Sequence, residues 1–391
     1  MKIGLALSGG GFRATVFHLG VLARLAAEKR LEEVTFLSTV SGGSLCIGMV
    51  HAINNGRWPE SEAYVNQVVP KAHAFLTKEN LQGKIIRRTL WPPWNILRAR
   101  ADILASVMED TWGVTGKLSD LPDSPRWMIN ATCYESGKNW RFEGFRMGDY
   151  VFGQTYDTDF PLSRALAASA GFPGLIGALP VDTRNHSWFK YDKRRENAEA
   201  SEAPEAQRRW KTRPITPKYS KVHLWDGGVY DNLGLEGLHD FIDGWRVDID
   251  FLIVSDASGR SKTEGYRPGA KALKRIITGI LMDQIRSLRS RAILERLINH
   301  EDPGAFLQIG NKCKDILRAA RRSDEITEKC LSCLSAEEAD IAANMETVIR
   351  RLSEEEFERL YRHGFEVADY TLYAFNADQF KYLGYVKPLR H

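Results

Sequence analysis

The sequence predicts an α/β protein of three layers: helices on both sides of a central, mostly parallel sheet, with a helical insertion and a helical C-terminal extension. Three observations carry this expectation. Short apolar runs alternate with helical stripes over the first fifty residues, further apolar runs recur at Val222–Trp225 and Phe251–Ser255, and no internal repeat interrupts them. Alternation at that pitch implies parallel strands joined by crossover helices.

Ile3–Ser8 reads as the first strand, and Phe12–Lys29 follows as a helix because Val16, Phe17, Leu19, Leu22, Ala23 and Ala26 recur at helical spacing. Val34–Val40 is a second apolar strand, and after Ser41-Gly42-Gly43 a second helix runs to about Ile53. From Arg57 to Pro122 the alternation stops, which predicts a helical, lid-like insertion at about 57–122. Its centre, Lys84 to Arg100, mixes cations with Trp91 and Trp94. That mixture suits a polar–apolar boundary as well as it suits a packed lid.

Trp127–Tyr134 and Trp140–Phe145 read as strands paired around Ser136-Gly137-Lys138-Asn139, and Pro161–Ala170 as an alanine-rich helix. The polar stretch at about 184–221, with Lys193-Arg194-Arg195 and Arg208-Arg209, predicts a mobile basic loop. Between Pro268 and Asn299 a long helix carries Leu273, Ile276, Ile277, Ile280 and Leu281 on one side and many cations on the other. The default expectation is a core-packing helix with a cationic solvent face; membrane adsorption is the minority reading. Residues 1–310 then form the main domain, and 311–391 a helical extension packed on it, with a capped helix start at Leu352-Ser353-Glu354-Glu355-Glu356.

The 391 residues carry 54 Lys+Arg against 50 Asp+Glu, a net charge of +4, too small to argue for a nucleic-acid partner. The apolar run Ile3–Leu7 is shorter than a secretory core, and no stretch approaches the roughly 18–20 apolar residues of a spanning helix. Five scattered cysteines favour a reducing, cytoplasmic setting; Cys330 and Cys333 read as two thiols spaced along an amphipathic helix rather than as half a zinc site.

Three turns ask for a chemical explanation. Ser8-Gly9-Gly10-Gly11-Phe12-Arg13 joins the first strand to the first helix, so its backbone N–H groups are exposed at the positive end of a helix, a ready oxyanion hole. The relaxed dinucleotide fingerprint also fits there, but it needs an acidic residue at the end of the second strand, where Ser38-Thr39-Val40-Ser41 stands instead. That second turn, Thr39-Val40-Ser41-Gly42-Gly43, presents a serine at a strand tip, with Thr39 in place of the first glycine of G-x-S-x-G. Trp225-Asp226-Gly227-Gly228 offers a carboxylate at another strand tip, able to take a proton from a serine hydroxyl. Each turn alone is more often an N-cap or a bend; the conjunction is specific.

These segments resemble the patatin-like phospholipase family. The glycine-rich segment Ser8–Arg13, the serine elbow Val40–Gly43, the Asp226-Gly227-Gly228 turn and the block Ala167-Ala-Ser-Ala-Gly-Phe-Pro173 carry the resemblance, over roughly residues 1–260. It implies hydrolysis of fatty-acyl esters of phospholipids or related lipids by a Ser–Asp dyad without histidine, metal or cofactor. Ser41 is then the nucleophile and Asp226 the base. Gly9, Gly10, Gly11 and Gly42 form the oxyanion hole, and Arg13, Gly43, Gly227 and Gly228 support it. Peripheral contact with an anionic membrane is a further expectation, while oligomeric state is left open. The rival readings are a Ser-His-Asp hydrolase using His223, His239 or His300, and a non-catalytic membrane- or partner-binding protein that keeps the fold.

Overall fold

The computed structural model describes residues 1–92, 95, 98–191, 212–259, 263–299 and 301–386. Strand β1 (Ile3–Leu7) is apolar and buried on both faces, as a central parallel strand must be. Helix α1 (Gly11–Ala27), β2 (Val34–Val40) and α2 (Gly42–Ile53) complete the opening unit. The insertion is helical, with α3 (Val69–Lys78), α4 (Leu81–Leu90) and α5 (Arg100–Trp112). Trp94, one half of the expected tryptophan pair, lies outside the described residues.

The chain then adds β3 (Arg126–Cys133), β4 (Lys138–Glu143), β5 (Arg146–Asp149), β6 (Gly153–Thr155), α6 (Leu162–Ser169) and β7 (Leu179–Asp182). Next come β8 (Trp188–Tyr191), β9 (Thr212–Ile215), β10 (Lys221–Asp226) and β11 (Phe251–Asp256). The ends of the expected basic loop are therefore strands, β8 pairing antiparallel with β9; its centre, 192–211, lies outside the described residues. Ala270–Lys274, the π-wound Arg275–Leu281 and Met282–Ile298 run on as one helix, α7, before β12 (Gly304–Gln308) and α8 (Glu354–Phe375). Ser353 caps α8 through a reciprocal box with Glu356.

All twelve of these strands form one sheet. The order β12-β11-β1-β2-β3 is parallel, and β4, β5, β6, β8 and β9 extend it antiparallel. One face carries the large core with α1, α2, α6 and α8; the other holds a smaller cluster of Met128, Leu233, Leu235, Leu252, Val254 and Ile293. Helices α1 and α8 cross at glycines: a Cβ on Gly20 would stand 2.0 Å from the Tyr361 carbonyl, and one on Gly364 2.0 Å from that of Phe17. Beside this crossing Arg24 is buried, ion-paired to Asp369 and Glu28.

Two expectations are corrected. Helix α7 is not a core helix along its length: among its described residues Ile293 is buried, while the aliphatic side chains from Leu273 to Leu281 are exposed. The cysteines are not two thiols on one helix either. Cys330 follows the short helix Ile326–Lys329 and is disulfide-bonded to Cys313, leaving Cys333 free.

Candidate active site

Three strand ends fall into one row across the sheet. Leu7 is paired with Thr39 and Val40 with Asn130, while Asp226 is paired with Ala131, the next residue along β3. Asp226 stands at the carboxyl end of β10, as a strand tip, but β10 runs antiparallel to β3. The register of β10 on β3 brings it into the row.

Ser41 sits at the turn from β2 into α2 with φ 49° and ψ −114°, a conformation that costs a non-glycine residue about 1–3 kcal/mol. Small neighbours make the turn possible: a Cβ on Gly42 would meet the Gly11 carbonyl at 2.4 Å. The N–H of Gly43 donates to the Ser8 carbonyl at 3.1 Å. A buried hydroxyl network holds the turn from behind. The Ser41 N–H donates to Ser169 Oγ at 3.0 Å, and Ser169 in turn donates to the Asn130 carbonyl at 2.7 Å. Thr39 Oγ1 lies 2.8 Å from Ser44 Oγ and accepts from the Trp127 indole N–H at 2.9 Å. Thr39, which departs from the glycine of G-x-S-x-G, is thus an anchor of the turn.

Asp226 is 2% exposed. Its Oδ1 accepts the Gly228 N–H at 2.7 Å, and its Oδ2 has no hydrogen-bond partner among the described residues. Burial raises its pKa to about 7, against the opposing pull of the Gly228 N–H and the Ser41 hydroxyl. The serine is therefore close enough to act on the carboxylate, although no hydrogen bond of ordinary geometry joins them. Hydrogen bonds from the N–H groups of Asp226 and Gly227 to the Gly171 and Ser169 carbonyls, each 3.2 Å, fix the turn against the end of α6.

The glycine loop faces this pair. Gly9 drops out as an oxyanion donor, because its N–H is given to the Asn232 carbonyl at 3.1 Å. The N–H groups of Gly10, Gly11 and Gly42 have no partner among the described residues. Gly11 adopts φ 59°, and a Cβ there would stand 2.8 Å from the Val348 carbonyl. That carbonyl also accepts the Phe12 N–H at 2.9 Å. Arg13 is buried, and its guanidinium donates to the carbonyls of Ala257 and Met345. Burial lowers its pKa to about 10, which leaves it charged at neutral pH. Beneath the loop His18 bridges Ser255 Oγ at 2.9 Å and the Ser8 carbonyl at 3.0 Å, and burial pushes it down to about 4, so it is neutral.

Sequence reasoning did not single out Asn232. Its Oδ1 lies 2.5 Å from where a Cβ of either Gly9 or Gly228 would be, so it fills the gap between the glycine loop and the aspartate turn. Its Nδ2 donates to Ser258 Oγ at 2.7 Å. The segment Ala343–Ile349, far downstream of every motif, also lines the site. Neither carries a local signal beyond a lone Asn and a stretch without pattern.

Ser41, Asp226 and Gly9–Gly11 open into a cleft of about 350 Å³. Leu45, Leu104, Phe172, Leu175 and Ile176 give it an apolar lining, together with Arg275, paired to Glu264, and Arg286, paired to Asp256 and Asp283. No histidine lines it among the described residues. His223 is bonded to Glu135 and His239 to Asp302 instead, and His300 lies outside the described residues.

Residues 5–239 match the sequence model of the patatin-like phospholipases. The chain belongs to that family. No curated protein matches it. Among solved structures, human GIVD cytosolic phospholipase A2 is similar, with 15% identity and a TM-score of 0.51 over 94% of this chain and 60% of that one. VipD from Legionella pneumophila is matched at 11% identity and a TM-score of 0.37, over 96% of this chain and 67% of that one. The patatin-like chain thus spans about three fifths of the length of the human protein, and at this identity the likeness is one of fold.

Proposed function

We propose that this patatin-like protein hydrolyses fatty-acyl esters of phospholipids or related lipids, with Ser41 as nucleophile and Asp226 as base. The observation that carries the reading is the strained Ser41 turn facing a buried carboxylate whose Oδ2 has no partner among the described residues, beside peptide N–H groups that have none there either. In the ionised form Asp226 takes the Ser41 proton as Oγ attacks the ester carbonyl carbon. Negative charge develops on the carbonyl oxygen, and the amides of Gly10, Gly11 and Gly42 stabilise it. As the C–O bond to the leaving group breaks, Asp226 returns the proton to the departing alcohol, leaving an acyl–Ser41 ester. Water then attacks, again losing its proton to Asp226; the bond between Ser41 Oγ and the acyl carbon breaks, Asp226 returns the proton to Oγ, and the fatty acid departs. The apolar lining suits an acyl chain.

The test is product analysis on mixed phospholipids. Wild type is expected to release free fatty acid, and Ser41→Ala and Asp226→Asn to lower the rate by about a thousandfold or more. Undiminished release by both variants would remove the proposal.

A further inference from the structure

The surface around the cleft mouth carries a second feature. From Gly265 to Met282 the chain holds four cations, Arg267, Lys271, Lys274 and Arg275, and no acidic residue. The same stretch leaves Leu273, Ile276, Ile277, Ile280 and Leu281 between 43% and 58% exposed, and Tyr266 86% exposed. Single exposed aliphatic residues are ordinary; five on two and a half turns of one helix are not. Arg275, Thr278, Gly279 and Met282, from the same turns, line the cleft that holds Ser41. Arg275 reaches Glu264, whereas Lys271 and Lys274 have no ion pair among the described residues.

Another stretch beside the cleft repeats the composition. Leu104 and Leu175 line it, and the Arg100 guanidinium donates to the Leu175 carbonyl at 3.4 Å. Just before that helix, Ile86, Leu90 and Trp91 are exposed, on a segment with Arg87 and Arg88. Apolar side chains flanked by cations, with an aromatic ring at the margin, match the depth profile of a bilayer surface: acyl region, interface, anionic head groups.

We infer that the first half of α7, from Leu273 to Leu281, docks the protein on an anionic lipid surface, with its aliphatic row among the acyl chains and Lys271 and Lys274 at the head groups. The inference rests on the proposed lipid-esterase reading for its purpose, since docking there turns the cleft mouth toward its substrate. The same turns line the cleft through Thr278, Gly279 and Met282, so a lipid leaving the bilayer beside α7 has a short path to Ser41.

Co-sedimentation of the full chain with phosphatidylglycerol vesicles tests the inference, with phosphatidylcholine vesicles as the neutral control. Wild type is expected to sediment with the anionic vesicles and much less with the neutral ones. The triple variant Leu273→Ser, Ile277→Ser, Ile280→Ser removes apolar surface at positions outside the cleft lining, and serine has about the helix propensity of isoleucine. It is expected to bind about tenfold or more weakly while hydrolysing a soluble short-chain ester as wild type does. Lys271→Gln with Lys274→Gln is expected to weaken binding at low salt only. Wild type that stays in solution, a triple variant that sediments undiminished, or a wild-type dimer that the triple variant dissolves would each overturn the inference, the last in favour of a second copy as occupant. Failure of the esterase reading is distinct: Ser41→Ala would then keep soluble-ester hydrolysis whatever the vesicles do.

Discussion

Asp226 shows how a single side chain sets both the chemistry and its cost. A base held near pKa 7 is ionised in half the molecules at neutral pH and accepts a proton far better than a carboxylate at its ordinary value. The rate constant kcat/KM is expected to rise tenfold per pH unit below about 7 and to level off above it. The same shift makes the residue a burden on the fold. Its folded pKa lies above the ordinary aspartate value of 3.8, so the folded state holds the proton more tightly, and stability is full below about pH 4 and falls as pH rises to about 7. The loss amounts to about 4 kcal/mol as an order of magnitude. Asp226→Asn is therefore expected to raise the melting temperature at pH 8 and to leave it unchanged at pH 4, measured by thermal denaturation at both. At this scale Ser41 and Asp226 were legible because a serine or an aspartate beside two glycines is a local signal. Ser169 and Asn232 were not, because their hydroxyl and amide acquire meaning only from backbone brought in by other segments.

At the scale of elements, periodicity identified the helices and did not say what would cover them. Helix α1 and the long run from Pro268 both show an apolar stripe, yet α1 is buried almost throughout and the first half of α7 lies open. The difference is the partner. Gly20 and Gly364 let α8 approach α1 closely enough for backbone to meet backbone, and among the described residues no comparable element covers Leu273–Leu281. Gly20→Ala or Gly364→Ala must push these helices apart, because the atoms in the way are carbonyl oxygens that cannot swing aside. Each is expected to destabilise the protein by about 3 kcal/mol or more, read as a shift in the denaturant midpoint. The parallel course of β1 and β2 was legible from their alternation with helices, and the pairing of β3 with β4 from the turn between them. The antiparallel course of β10 was not, since an apolar run reads the same in either direction.

Across the whole molecule the site is assembled from both ends of the chain. Arg13 ties the glycine loop to Ala257 at the end of β11 and to Met345, and the N–H of Phe12 is held by Val348. Lysine at position 13 keeps the charge but presents one head in place of a fork, and cannot span both carbonyls. Arg13→Lys is expected to lower kcat by about tenfold with a smaller change in KM, because the loop's donors act on charge that develops in the transition state. Steady-state kinetics on a soluble ester would check the split.

The bond from Phe12 to Val348 also orders events in time. A chain still leaving the ribosome has its serine and aspartate long before residue 348 exists, yet the Phe12 N–H at the edge of the amide cup still lacks its acceptor. The glycine loop thus takes this last hold only after the segment that meets it has been made.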